Sequence, residues 1–183
     1  MKKIIILSIV LAGFKLSANA QATTSANQNV GLSLSNALTI TFVANSSANG
    51  ATASIPFATV SDYVNGVESN LQNLKVQSNK KFNVTLNAAS ANFTYSGTAS
   101  PAPTMPVTGV LTCDIENNNT GGTINTAYAN ETYGAISTTP VTLISNANNG
   151  NSQTFAVEYY AQPGFAYPAG TYTVNVIISA TQP

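Results

Sequence analysis

Alternation of apolar and polar residues runs through most of the chain and is sharpest at residues 170–182, G-T-Y-T-V-N-V-I-I-S-A-T-Q. Tyr172, Val174, Val176, Ile178 and Ala180 fall on one side of an extended backbone, and Thr171, Thr173, Asn175, Ser179 and Thr181 on the other; only Ile177 breaks the rule. This predicts a final strand with one buried face. Upstream, Val30, Leu32 and Leu34 alternate with Gly31 and Ser33, and Leu38, Ile40 and Phe42 with Thr39 and Thr41, which predicts one kinked strand or two strands broken at Asn36. Leu74 and Val76 precede the turn Ser78-Asn79-Lys80-Lys81, after which Phe82, Val84, Leu86 and Ala88 alternate with Asn83, Thr85 and Asn87. These two runs predict a hairpin. Further strands are expected at residues 92–96, 107–116, 141–144 and 154–160. In the second of these, Val107, Gly109, Leu111, Cys113 and Ile115 share a face, which places Cys113 toward the core; in the last, Phe155, Val157 and Tyr159 fall together.

Turns rich in Asn, Ser, Gly and Pro separate these runs, at residues 45–53, 117–122, 146–151 and 163–170. Residues 61–74 are ambiguous. Val64, Val67, Leu71 and Leu74 fit helical spacing and Ser61 could cap a helix, but Gly66, Asn65, Asn70 and Asn73 oppose one. At most a turn of helix near residues 61–63 is expected. About eight short strands without a convincing helix predict an all-β domain, a two-sheet antiparallel β-sandwich of immunoglobulin-like type, with a closed β-barrel as the alternative. Tryptophan is absent and Cys113 is the single cysteine, so no intramolecular disulfide is available and packing alone must hold the fold.

The first residues are a different kind of pattern. Lys2 and Lys3, an apolar run over residues 4–14, and Ala18-Asn19-Ala20 before Gln21 form a secretory signal peptide cleaved after Ala20. Residues 21–28 are small and polar and are expected to be a flexible leader, leaving residues 29–183 as one domain. Beyond the signal, Lys75, Lys80 and Lys81 stand against Asp62, Glu68, Asp114, Glu116, Glu131 and Glu158, a net charge of −3. Such a surface releases few counterions from DNA, so nucleic acid is not an expected partner. No later stretch is long and apolar enough to be a membrane span. Charged residues make up 7% of the chain, well below the usual share of about 25%, so Asn, Thr, Ser and Gln must supply the polar surface.

Histidine is absent, which removes the commonest general base, the usual nucleophile triads and most zinc sites. No cofactor is implied and no catalysis is expected. Glu131 and Glu158 are the pair to test first for glycoside hydrolysis, which needs two carboxylates. Asp114 and Glu116, on one strand face ahead of Asn117-Asn118-Asn119, are calcium candidates because alternate strand residues share a side and the turn offers oxygens. Tyr160 and Tyr167, beside amides, are candidate glycan contacts, since sugars dock on flat apolar rings flanked by hydrogen-bond groups.

The segment Tyr159-Tyr160-Ala161-Gln162-Pro163 through Pro168-Ala169-Gly170-Thr171-Tyr172-Thr173-Val174-Asn175-Val176 resembles the C-terminal ending of secreted bacterial pilin-like and spore-coat-U-like domains, in which an A-G-x-Y turn opens an alternating final strand. That resemblance implies an exported immunoglobulin-like subunit that assembles by strand exchange or strand addition. Tyr172, Val174, Val176 and Ile178 are then the expected assembly strand, and residues 30–34 a candidate donor. The functional expectation is a secreted structural or adhesive protein of the periplasm, cell surface or matrix, fimbria-like, whose partners are copies of itself or other surface proteins. A carbohydrate-binding module is the alternative, with polysaccharide as the partner.

Overall fold

The computed structural model describes residues 24–43 and 52–183; the expected signal peptide and most of the 45–53 turn lie outside the described residues. The chain divides into two units, Met1–Leu34 and Ser35–Pro183. In the first, residues 24–34 form no helix or strand and are exposed, with Val30, Leu32 and Leu34 at 78%, 85% and 88% exposure. The alternation there does not become a strand within the chain's own sheets.

The second unit is an all-β sandwich. Its elements are β1 (Leu38–Phe42), α1 (Val60–Asn65), β2 (Val67–Glu68), β3 (Gln72–Ser78), β4 (Phe82–Ala88), β5 (Thr94–Ser96), β6 (Leu111–Glu116), β7 (Thr123–Ile124), β8 (Gly134–Ala135), β9 (Val141–Ala147), β10 (Gly150–Ala161), β11 (Thr171–Thr173) and β12 (Val176–Thr181). One sheet runs β1-β3-β10-β6-β8, with β2 also on β10; the other runs β12-β4-β9-β7; β5 and β11 form a separate two-stranded ribbon. Every strand pairing is antiparallel and neither sheet closes on itself, so the sandwich forms and the barrel does not.

The core lies between the two sheets and follows the predicted parity. Leu74 and Val76 of β3, Phe155, Val157 and Tyr159 of β10 and Cys113 and Ile115 of β6 meet Phe82, Val84 and Leu86 of β4 and Leu143 and Ile144 of β9, all buried. Cys113 is inside, as expected, and burial foremost, with Asp114 next to it, pushes its thiol up to about 12. It is neutral and therefore a packing residue, not a nucleophile.

Four local expectations are corrected. The runs either side of residues 78–81 are not a hairpin: β3 pairs with β1 and β10, while β4 pairs with β12 and β9 in the opposite sheet. The connection is an arch across the core, because its polar groups serve the bend and the entry to β1. Ser78 Oγ donates to Lys80 O, and Asn79 accepts from Ala37 N, donates from its amide to Ser35 O and from its backbone N–H to Ala37 O. Second, the helix is longer than expected and is capped by Thr59, not Ser61. Thr59 Oγ1 accepts from Asp62 N, while Asp62 accepts from Thr59 N, a reciprocal box that overrides the unfavourable residues behind it.

Third, residues 107–110 turn instead of extending, with Gly109 at φ +86° and the N–H groups of Val110 and Leu111 both donating to Val107 O, so β6 begins at Leu111. Fourth, the final run is two strands. Its first part, β11, pairs with β5; its second, β12, pairs with β4; at Asn175 the carbonyl accepts instead from Ala89 N–H. Tyr172 therefore belongs to the ribbon, tilted against Tyr95 at 5.0 Å. Val174, Val176, Ile178 and Ala180 pack on the core but stay only partly buried. The long central strand is β10, twelve residues held by β3 on one side and β6 on the other.

The edges of the two sheets differ in kind. On one side the edge strands are β7 and β8, two residues each, joined through the short 3-10 turn at Thr126–Tyr128. Tyr128 is buried there, and its hydroxyl donates to Ala135 O at 2.8 Å. The other edges are β1 and β12, five and six residues long, and neither L-T-I-T-F nor V-I-I-S-A-T contains a charge or a proline. Gln182 ties this side at one end, its amide donating to Ala37 O, Ser78 Oγ and Asn79 Oδ1.

Candidate functional site

Two places on the sandwich carry side chains beyond packing. The first is the outer face of the β10 sheet. Since Phe155, Val157 and Tyr159 face the core, Glu158 and Tyr160 face outward, and by the same parity Asp114 and Glu116 face outward from β6. Antiparallel register sets Glu158 opposite Asp114 and Glu116 opposite Ala156, while β2 sets Glu68 opposite Tyr160. Residues 130–133 then fold over this surface. Glu131, at φ +59°, donates its backbone N–H to Asp114 Oδ2 at 2.8 Å; the Asn130 amide donates to Glu116 Oε1. The Tyr133 hydroxyl lies between Glu68 Oε1 at 2.9 Å and Glu158 Oε2 at 3.2 Å, and its ring lies 5.2 Å from that of Tyr160.

Five of the six carboxylates beyond the expected signal thus share one patch; Asp62, in the helix cap, is the exception. Glu68, Glu116, Asn130, Glu131, Tyr133 and Glu158 line an open cavity of about 460 Å³. Asp114 lies beneath it with no exposed surface, and its Oδ1 has no hydrogen-bond partner. Burial raises the pKa of Asp114, partly offset by the N–H groups of Glu131 and of Asp114 itself, and the charges of Glu68 and Glu131 push it further up. Glu158 is raised by burial first, eased by the Tyr133 hydroxyl and raised again by Glu68, Asp114 and Glu116; Glu116 is raised by burial and by Asp114 and Glu131. Among the described residues, no three His, Cys, Asp or Glu side chains are close enough together to hold a metal ion.

The raised carboxylates set a pH dependence. The native state keeps their protons where the unfolded chain has released them, so stability falls as pH rises from the unfolded carboxylate range through the folded values. Asp62 acts oppositely, because hydrogen bonds from Thr59 and Ala58 lower its pKa, and its contribution is lost only as pH falls through that lowered value. With three raised groups against one lowered, the melting temperature is expected to be higher at about pH 5 than at about pH 7.5 at equal ionic strength, and Glu158→Gln should narrow the difference. Equal melting temperatures at the two pH values would contradict this reading of the patch.

The second place is an aromatic surface around α1 and the ribbon. Tyr63 stacks on Phe165 at 5.5 Å and meets Phe57 at 5.4 Å, while Tyr172 meets Tyr95 and Tyr167. Phe165 is 67% exposed. The two candidate glycan contacts fall in different aromatic pairs: Tyr167 joins Tyr172, whereas Tyr160 lies beside Tyr133 at the acidic patch, with its hydroxyl donating to Asn65 O.

The calcium candidates Asp114 and Glu116 are adjacent on the patch, but the turn expected to supply oxygens does not serve them. Asn118 bonds to Thr120 and Gly122, and the Asn119 amide to Asn117 O. Glu131 and Glu158 line the same cavity, although the sequence offered no reason to bring them together. Glu68, Asn130 and Tyr133 carry no pattern in the sequence that marks them for this surface. Outward parity at Glu116 and Glu158 was the available signal, and the pairing of β6 with β10 completes it. No helix among the described residues is long and apolar enough to cross a membrane. A scan against protein-family models matches none of them, and a search of the curated proteins finds no match.

Proposed function

We propose that the chain is an exported, non-enzymatic structural subunit of the cell surface or matrix, fimbria-like, that joins other copies of itself by strand addition. The supporting observation is the contrast between the sheet edges. Natural sandwiches protect edges by shortness, charge, proline or a cover, since an open edge offers unpaired N–H and C=O groups to another chain. The β7 and β8 edges are short, whereas β1 and β12 are long and carry neither charge nor proline. Ile177 of β12 is 41% exposed, and the core-facing Val176, Ile178 and Ala180 are only partly buried, so an added strand finds both backbone partners and apolar contact.

The donor is residues 30–34. Val30, Leu32 and Leu34 alternate and are highly exposed, which suits a segment whose buried surface is completed by another copy. The triple variant Val30→Ser, Leu32→Ser, Leu34→Ser is expected to convert high-mass species to monomer in sedimentation velocity while leaving the melting temperature of the monomer unchanged. A wild-type protein that stays monomeric at high concentration would contradict the proposal, as would a triple variant that assembles as before.

A further inference from the structure

We propose that Tyr63, Phe165 and Tyr167, where α1 meets the turn over residues 163–170, form a docking platform for a neutral, β-linked polysaccharide. Phe165 is the central observation. One face of its ring stacks on Tyr63, at 5.5 Å and 23° between planes, while the side chain stays 67% exposed, so the other face is open. The turn that carries it is braced on both sides. The Gln162 amide donates to Val64 O and fixes its entry against α1; the hydroxyls of Tyr95 and Tyr172 donate to Ala169 O and Pro168 O and fix its exit. Phe57 backs Tyr63 at 5.4 Å. An apolar ring presented on a braced turn loses little freedom on binding, which favours capture of a ligand.

The hydroxyls indicate the kind of ligand. Among the described residues, Tyr95 and Tyr172 spend their hydroxyls on this turn and Tyr160 spends its own on Asn65 O, whereas those of Tyr63 and Tyr167 bond to no protein group. Both of these rings are half-buried. An apolar partner, such as a lipid tail or the bare face of a second copy, would strip water from the two phenols and replace it with nothing. A sugar ring supplies both halves of the match. Its C–H face suits the open side of Phe165, and its hydroxyls suit the phenols. Gluco-configured, β-linked chains fit best, because every ring hydroxyl is equatorial and the faces are left flat and apolar.

Charge selects a neutral polymer. The lysines lie toward the start of β10, where Ser78, just ahead of Lys80 and Lys81, sits opposite Gly150 and Lys75 sits opposite Thr154; the platform lies past its end at Ala161. The charges on the platform's side are Asp62, engaged by the N–H groups of Ala58 and Thr59, and Glu68, opposite Tyr160. An acidic polysaccharide or an anionic lipid surface therefore meets carboxylates and no cation. Of the two glycan contacts that the sequence suggests, Tyr167 belongs to the platform and Tyr160, with its hydroxyl spent, does not.

The test is affinity electrophoresis of the purified protein through native gels that contain hydroxyethyl cellulose, xyloglucan or, as an anionic counterpart, polygalacturonate, with mobility read against polymer-free gels. Retardation is expected in the two neutral polymers and not in polygalacturonate. Phe165→Ala should weaken binding roughly tenfold, with a melting temperature close to wild type because the ring is mostly exposed. Tyr63→Phe and Tyr167→Phe keep the rings and remove only the unbonded hydroxyls, and each should weaken binding by about two- to tenfold. The Val30→Ser, Leu32→Ser, Leu34→Ser variant should still be retarded, which separates the platform from strand addition. Free migration of wild type in both neutral gels, retardation that survives Phe165→Ala, or stronger retardation in polygalacturonate would overturn the proposal. So would self-association that depends on Phe165 without retardation, which would make this face a contact between copies.

Discussion

Replacing Phe82 by Ala is expected to lower stability by about 3–5 kcal/mol, the usual cost of deleting a buried aromatic ring. Phe82 is fully buried and opens β4 directly after the arch, so its ring fills the core where the chain crosses from one sheet to the other. The surrounding Val, Leu and Ile side chains are set by two rigid sheets and can collapse only partly into the space. Against a total of about 5–15 kcal/mol, this is a large fraction, and it should lower the melting temperature by about 6–20 °C. Phe82→Leu keeps most of the volume and should cost less than half as much. Thermal unfolding of the two variants beside wild type measures both, and equal stability of Phe82→Ala and wild type would contradict the core described here.

Gly122→Ala has the second largest expected effect, about 1–3 kcal/mol, by adding volume where none is available. A Cβ at this position would lie 2.8 Å from Ser145 O and 2.9 Å from the Cα of Ala147, and 2.7 Å from Cγ2 of Ile144. Two of these atoms are backbone of β9, which is pinned between β4 and β7 and cannot yield as a side-chain tip would. The substitution therefore separates β7 from β9 and loosens the short-edged side of the sandwich. Gly31→Ala, with nothing within 4 Å, is the control and should leave the melting temperature of the monomer unchanged.

Parity was legible in the strands that build the sandwich core. Leu74, Val76, Phe82, Val84, Leu86, Cys113, Ile115, Phe155, Val157 and Tyr159 all face the core as their alternation predicts, because which side a residue takes is a local property of extended backbone. What a strand pairs with is not local. An arch and a hairpin present the same alternation on both sides of a turn, so residues 72–88 read equally well as either until the long-range pairing with β10 and β9 is known. The split of the final run has the same origin. Nothing in T-Y-T-V-N-V-I-I-S-A-T marks Asn175 as a break, which arises where the partner changes from β5 to β4.

The acidic patch shows the limit most clearly. Asp114 and Glu116 were linked by spacing on one strand, and Glu158 was known to face away from Phe155 and Tyr159. The register of β6 against β10 brings these residues together, and the backbone of Glu131 folds onto Asp114 from a loop with no recognisable pattern. In the final run, alternation gives the core side of Val174, Val176, Ile178 and Ala180 but not the break that puts Tyr172 in the ribbon, nor the partner of the strand that follows. That strand is an edge, with β4 on one side only.

Strand addition of residues 30–34 from one copy to the uncharged β12 edge of another is open to amide hydrogen exchange at low and high protein concentration. Slow exchange is expected to appear together in residues 30–34 and in Val176–Thr181 as concentration rises, with β7 and β8 unaffected. Protection that is independent of concentration, or that appears at the β7 and β8 edge instead, would contradict it.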